Sequence, residues 1–118
     1  TQNRYKKFEN DYWGASLNEL VENSNFEKNK TIKIGDCGIN SKLAKTLFKI
    51  NGYNKVNFVE PEKADYIIMT NRVVVDTEVN NKKKLINCFD KYMGDDIYKV
   101  ERNGLLLSVI RKNPKNDP

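Results

Sequence analysis

Apolar and polar residues change period several times along the chain, and each change predicts an element. Ile32 and Ile34 alternate with Lys33, the period of a short strand, and Gly35-Asp36-Cys37-Gly38 punctuates it. Asn40 or Ser41 is placed to cap a helix whose Leu43, Ala44, Leu47 and Phe48 share one face, and Gly52 after Asn51 supplies a left-handed C-terminal cap. Strand, glycine turn and helix together open a βαβ unit. Upstream, Ser16 and Glu19 have the Ser-x-x-Glu spacing of a capping box. This predicts a helix from Leu17 to Asn25 or Phe26, with Leu17, Leu20, Val21 and Ser24 on its inner face.

Beyond the second helix, Val56-Asn57-Phe58-Val59 reads as a short strand ended by Glu60-Pro61-Glu62-Lys63. The run Tyr66-Ile67-Ile68-Met69 does not alternate, which suits a central strand over Ala64 to Thr70, buried on both faces. Val73-Val74-Val75 reads equally as a strand extension or a loop. Lys82-Lys83-Lys84 is expected to introduce a third helix, with Leu85, Cys88, Phe89 and Tyr92 on one face and Gly94 as its stop. Those lysines sit badly with the dipole of a helix start. Asn103-Gly104 between two apolar runs predicts a hairpin of Ile97 to Arg102 with Leu105 to Arg111 on a type I′ turn. An unbroken ladder from that turn sets Val100 against Leu107 and Tyr98 against Val109. The predicted order is α, β, α, β, β, α, β, β. It describes an α/β fold: a small open sheet, parallel in its βαβ part and finished by an antiparallel C-terminal hairpin, with helices packed on the sheet. Residues 1–15 read as a lead-in arm, 16–112 as a single α/β domain and 113–118 as a frayed polar tail.

A chain of 118 residues suits one domain, and 21 basic against 16 acidic residues exclude a disordered polyelectrolyte. No apolar run approaches the ~20 residues of a membrane span. There is no signal peptide, and the start without Met reads as a piece of a longer polypeptide. The net charge of +5 raises nucleic acid as a partner, but 17 of the basic residues are Lys and only 4 are Arg, the residue that reads phosphate and guanine bidentately. No nucleic-acid partner is expected. Cys37 and Cys88 are expected as two buried thiols, with a disulfide as the alternative, and the absence of His argues against a structural zinc site.

Gly35, Asp36 and Gly38 lie where open α/β sheets bind ligands, outside the carboxyl end of a strand. They form a candidate ligand turn, although neither dinucleotide nor Walker spacing is present and a plain turn is the favoured reading. Asp36, Asp65 and Asp76 could be taken for a carboxylate set, but Asp65 opens a strand and so belongs at the opposite end of the sheet from Asp36, which argues against a shared site. Cys37 has no histidine base. No catalytic, metal or cofactor residue is therefore expected. Tyr5, Phe8, Tyr12 and Trp13 crowd into a short stretch, where the rings either pack under the first helix or line a surface.

The stretch Phe8-Glu9-Asn10-Asp11-Tyr12-Trp13-Gly14-Ala15-Ser16 resembles the segment after the last transmembrane helix of bacterial polytopic glycosyltransferases that are similar to dolichyl-phosphate-mannose-protein mannosyltransferases. Ala64-Asp65-Tyr66-Ile67-Ile68 with Thr70-Asn71-Arg72, and Tyr98 to Gly104 with Leu107 to Arg111, are similar to two later motifs of that family. The resemblance implies a non-catalytic accessory domain on the periplasmic face of a membrane, belonging to an enzyme that uses a lipid-linked sugar donor. Its partners would be the transmembrane portion of the same polypeptide and a glycan or acceptor. The isolated chain would be inactive. A candidate recognition surface comprises Asp11, Tyr12, Trp13, Asn71 and Arg72, with packing of Trp13 at the start of the first helix the favoured reading of that ring. The alternatives are a free-standing ligand-binding protein using the Gly35–Gly38 turn and, behind it, a nucleic-acid-binding module.

Overall fold

The computed structural model describes residues 15–114. In chain order these are helix α1 (residues 15–23), β1 (Ile32–Cys37), α2 (Ser41–Ile50), β2 (Val56–Phe58), a 3-10 turn (Pro61–Lys63), β3 (Tyr66–Thr70), β4 (Val73–Val79), β5 (Lys82–Asn87), α3 (Cys88–Lys91), β6 (Asp96–Arg102) and β7 (Leu105–Lys112). The main sheet has the order β2-β1-β3-β7-β6, while β4 and β5 form a separate ribbon. β1 runs parallel to both β2 and β3, and β7 runs antiparallel to β3 and β6. The fold is thus α/β with an antiparallel C-terminal hairpin, and the apolar β3 lies at its centre as its unalternating sequence requires.

The two faces of the sheet are covered differently. Leu17, Leu20 and Val21 of α1 and Leu47 and Phe48 of α2 pack against Ile34, Ile68 and Ile110 on one face. On the other, Ile67, Met69 and Val109 meet Cys37, Cys88, Val74, Phe89 and Tyr92. Asn40 caps α2, its side-chain oxygen accepting from the N–H groups of Lys42 and Leu43. At the far end Gly52 takes φ +89°, its N–H donates to Lys49 O, and the Tyr53 N–H donates to Phe48 O. These are the paired bonds of a Schellman motif, and the Tyr53 ring packs edge-on against Phe48 to complete it. Leu43, expected on the inner face of α2, stands 41% exposed.

Several expectations are corrected. Ser16 does not cap α1: it lies within the helix, buried, and its hydroxyl is 2.5 Å from the Ser108 hydroxyl on β7. Glu19 pairs with Arg102 on β6 instead of closing a capping box. Gly35, Asp36 and Cys37 continue β1 and do not turn. The third helix is replaced over Lys82–Asn87 by β5, leaving four helical residues, Cys88–Lys91. The i, i+3, i+4 spacing of Leu85, Cys88, Phe89 and Tyr92 suggested a helix. The competing signal was Asn80-Asn81, both at positive φ, which closes a two-residue turn and lets Val73–Val79 pair with the lysines.

The C-terminal hairpin does turn at Asn103-Gly104, but its register differs. Val100 faces Ser108 and Tyr98 faces Ile110, because Leu107 is accommodated as a bulge. The bulge lets both Leu107 and Ser108 reach the helix side, where Leu107 joins the core and Ser108 meets Ser16. The cysteines form a disulfide, Cys37–Cys88, with their Cα atoms 5.8 Å apart, so the expected free thiols are absent. Asn113, expected to fray, is buried and donates to Pro61 O and Ala64 O.

Candidate ligand groove

A groove of about 760 Å³ opens where β1 and β3 begin and β7 ends. Its making starts at Ser24, whose hydroxyl donates to Val21 O and terminates α1. The irregular link that follows is held by two tyrosines: Tyr53 donates its hydroxyl to Ser24 O, and the Asn25 N–H donates to the Tyr98 hydroxyl oxygen at 2.9 Å. This turns Phe26 back onto the sheet, its ring centre 4.9 Å from that of Tyr66 and 5.4 Å from that of Tyr98. Three rings from three separate segments therefore make an apolar wall. Glu27, Lys30, Asp65 and Lys112 bring both signs of charge to the same groove. Ring faces suit the C–H surfaces of a flat polar ligand, and carboxylates, amides and ammonium groups suit its hydroxyls.

The residues singled out in sequence lie elsewhere. Asp11, Tyr12 and Trp13 fall outside the described residues. Gly35 is covered: a Cβ there would come 2.7 Å from the Cα of Pro61, so its glycine admits the 3-10 turn against the strand. Asp36 accepts a 2.6 Å bond from the Ser41 hydroxyl. Gly38, at φ +75°, is walled by Thr70, Arg72 and the Cys88 sulfur, and its carbonyl accepts from the Thr70 hydroxyl. Asn71 donates to Leu106 O and accepts from Asn87, which fastens the β3–β4 junction. Arg72 is exposed, with its backbone bonded to Thr70 O and the Cys88 N–H. The structure thus gathers Gly38, Asn71 and Arg72 at the carboxyl end of β3, opposite the groove. Asp65 reaches the groove, away from Asp36. Among the described residues no His, Cys, Asp or Glu group could hold a metal ion.

In the sequence Phe26, Tyr66 and Tyr98 do not stand out as a set, because each reads as part of its own element. The available signal was positional: Tyr66 and Tyr98 stand near the starts of their strands, and Phe26 follows a helix that Ser24 ends.

A second hollow, of about 340 Å³, lies between the 3-10 turn and α3 and is lined by Glu62, Asp76, Lys91, Tyr92 and Met93, among others. Burial raises the Tyr92 hydroxyl above the ordinary value of 10.0, and the charges of Glu62, Asp76 and Asp36 add to this. A raised folded-state value favours the neutral phenol in the folded chain. Its contribution to stability is therefore complete below pH 10.0 and lost as pH rises through the higher folded value. Tyr92→Phe should retain more of its neutral-pH stability above pH 10.0 than the parent does, measured by urea unfolding across the alkaline range.

No protein-family model, no curated protein and no solved structure matches the chain.

Proposed function

We propose that this chain is a non-catalytic recognition domain of a larger membrane glycosyltransferase that uses a lipid-linked sugar donor, and that its groove receives a glycan or glycosylated acceptor. The observation that carries the reading is the wall of Phe26, Tyr66 and Tyr98 with Asn25 and Asp65 at its edge. A groove of this size suits a small or chain-like ligand, and its mix of ring faces with polar groups suits carbohydrate better than a wholly apolar molecule. The Cys37–Cys88 disulfide supports an extracytoplasmic site, since such bonds persist in oxidising compartments. No helix among the described residues is long and apolar enough to cross a membrane, so the membrane portion would be supplied by other segments of the same polypeptide. Nucleic acid is not a proposed partner.

The test is a glycan array probed with the chain, followed by titration of the retained oligosaccharide. Tyr66→Ala is expected to weaken binding about tenfold, the loss of one ring contact worth roughly 1.4 kcal/mol. Arg72→Ala, at the opposite end of β3, should leave it unchanged. An array that retains no carbohydrate would contradict the proposal. Sensitivity at Arg72 with indifference at Tyr66 would do the same and move the site to the Gly38 end.

A further inference from the structure

β6 ends the main sheet: among the described residues it has β7 on one side and no strand on the other. Its backbone groups divide accordingly. Arg102 and Leu105 close the two-residue turn as a bonded pair. Alternation from there sends the backbone groups of Arg102, Val100 and Tyr98 toward β7 and those of Glu101 and Lys99 toward the open edge. The bulge at Leu107 belongs to β7 and leaves this alternation intact. The Glu101 carbonyl agrees with it, accepting from the exposed Arg102 guanidinium next to it.

We infer that β6 pairs antiparallel with β6 of a second copy across a two-fold axis at Val100, joining two main sheets into one. The side chains along this edge are their own complement. The regular part of β6, between the irregularity after Asp96 and the Asn103-Gly104 turn, is Tyr98-Lys99-Val100-Glu101-Arg102, with equal arms on either side of the valine. A copy centred on Val100 sets Lys99 opposite Glu101 of the second copy and Glu101 opposite its Lys99, and each such pair exchanges N–H···O bonds in both directions. Tyr98 then lies beside Arg102 of the second copy, a ring beside a guanidinium that Glu19 already holds. Centring on Lys99 or on Glu101 would set like charges together, so the charges select the valine-centred register. A lone lysine at an edge deters pairing, whereas opposite charges at alternate outward positions permit it in this register. Lys99 and Glu101 are 3.2 Å apart within the chain with side chains 59% and 48% exposed, open to a second pair of charges. The contact is isologous and closes at a dimer, without open-ended growth. The inference stands independently of the carbohydrate reading.

Sedimentation velocity over a concentration series reaching about 1 mM tests it, since a ladder this short makes a small, weak interface. A concentration-dependent dimer is expected. Lys99→Glu should weaken dimerisation at least about tenfold, as two favourable cross-strand pairs become repulsive. Lys99→Glu with Glu101→Lys restores both pairs and should return the dimer to within about twofold of the parent. Both positions are exposed, so all three proteins should melt alike. In the parent, the Lys99 and Glu101 amides should exchange more slowly as concentration rises, while that of Arg102, already bonded across the turn, stays unchanged. A chain that remains monomeric, a dimer indifferent to Lys99→Glu, or a double exchange no better than the single change would overturn the inference. Slow exchange of the Lys99 and Glu101 amides in a monomer would do the same and assign the edge to another segment of the chain itself. Glycan binding should be unchanged by Lys99→Glu, which separates failure here from failure of the groove.

Discussion

Cys37→Ala with Cys88→Ala will lower the melting temperature by roughly 20 °C, the largest effect expected of any change to this chain. The bridge closes a segment with a sequence separation of 51. Chain entropy alone assigns such a closure ~4 kcal/mol. Against a total stability of about 5–15 kcal/mol for a domain, that is a large share. Location adds to it, since Cys88 is fully buried beneath the far face of the sheet and anchors the ribbon to β1. The variant should therefore loosen first in residues 73–87, seen as early proteolysis there before the sheet is cut. A thiol assay on the unfolded parent should detect no free thiol until reductant is added. Parent and variant melting alike, or thiols titrating freely in the parent, would show the bridge to be absent.

Arg111→Met is expected to cost ~3 kcal/mol, because it removes a charge that several partners share near the interior. Arg111 is only 8% exposed. Its Nε donates to Asp96 Oδ1 at 2.6 Å, and its Nη1 donates to Phe89 O at 2.7 Å and Tyr92 O at 2.5 Å. One planar head thus joins α3 and the start of β6 to β7. Methionine keeps much of the stem's packing, so the measured loss isolates the bonds. Arg111→Lys should recover part of it, as an ammonium cannot span the same fork. Chemical unfolding of the three proteins decides this; a loss under 1 kcal/mol in the Met variant would show, contrary to expectation, that the clamp contributes only as much as an exposed pair.

How legible these features were follows from how local their causes are. Asn40, Gly52 and Asn103-Gly104 act within a few residues, and cap, helix end and turn all lie where the sequence places them. The run Tyr66–Met69 announces its central place by being apolar on both faces. Leu107 was harder: nothing near it in the sequence marks a bulge, and Ser108 beside it meets Ser16 on α1, a contact 92 positions away. Lys82–Asn87 depends on a partner, since its helical spacing yields only when β4 is available to pair with it. Arg111 read as an ordinary strand residue, and only the return of the chain at Phe89 and Tyr92 makes it a clamp. The groove was least legible, because Phe26, Tyr66 and Tyr98 come from three segments that the fold alone brings together.

The most direct measurement of the central claim is a backbone amide NMR titration of the chain with short mannose, glucose and N-acetylglucosamine oligomers. The account predicts that at least one series shifts Phe26, Asp65, Tyr66 and Tyr98 together and saturably, while Gly38, Asn71 and Arg72 stay fixed. Shifts confined to Gly38, Asn71 and Arg72, or no saturable shift with any of the three, would contradict it.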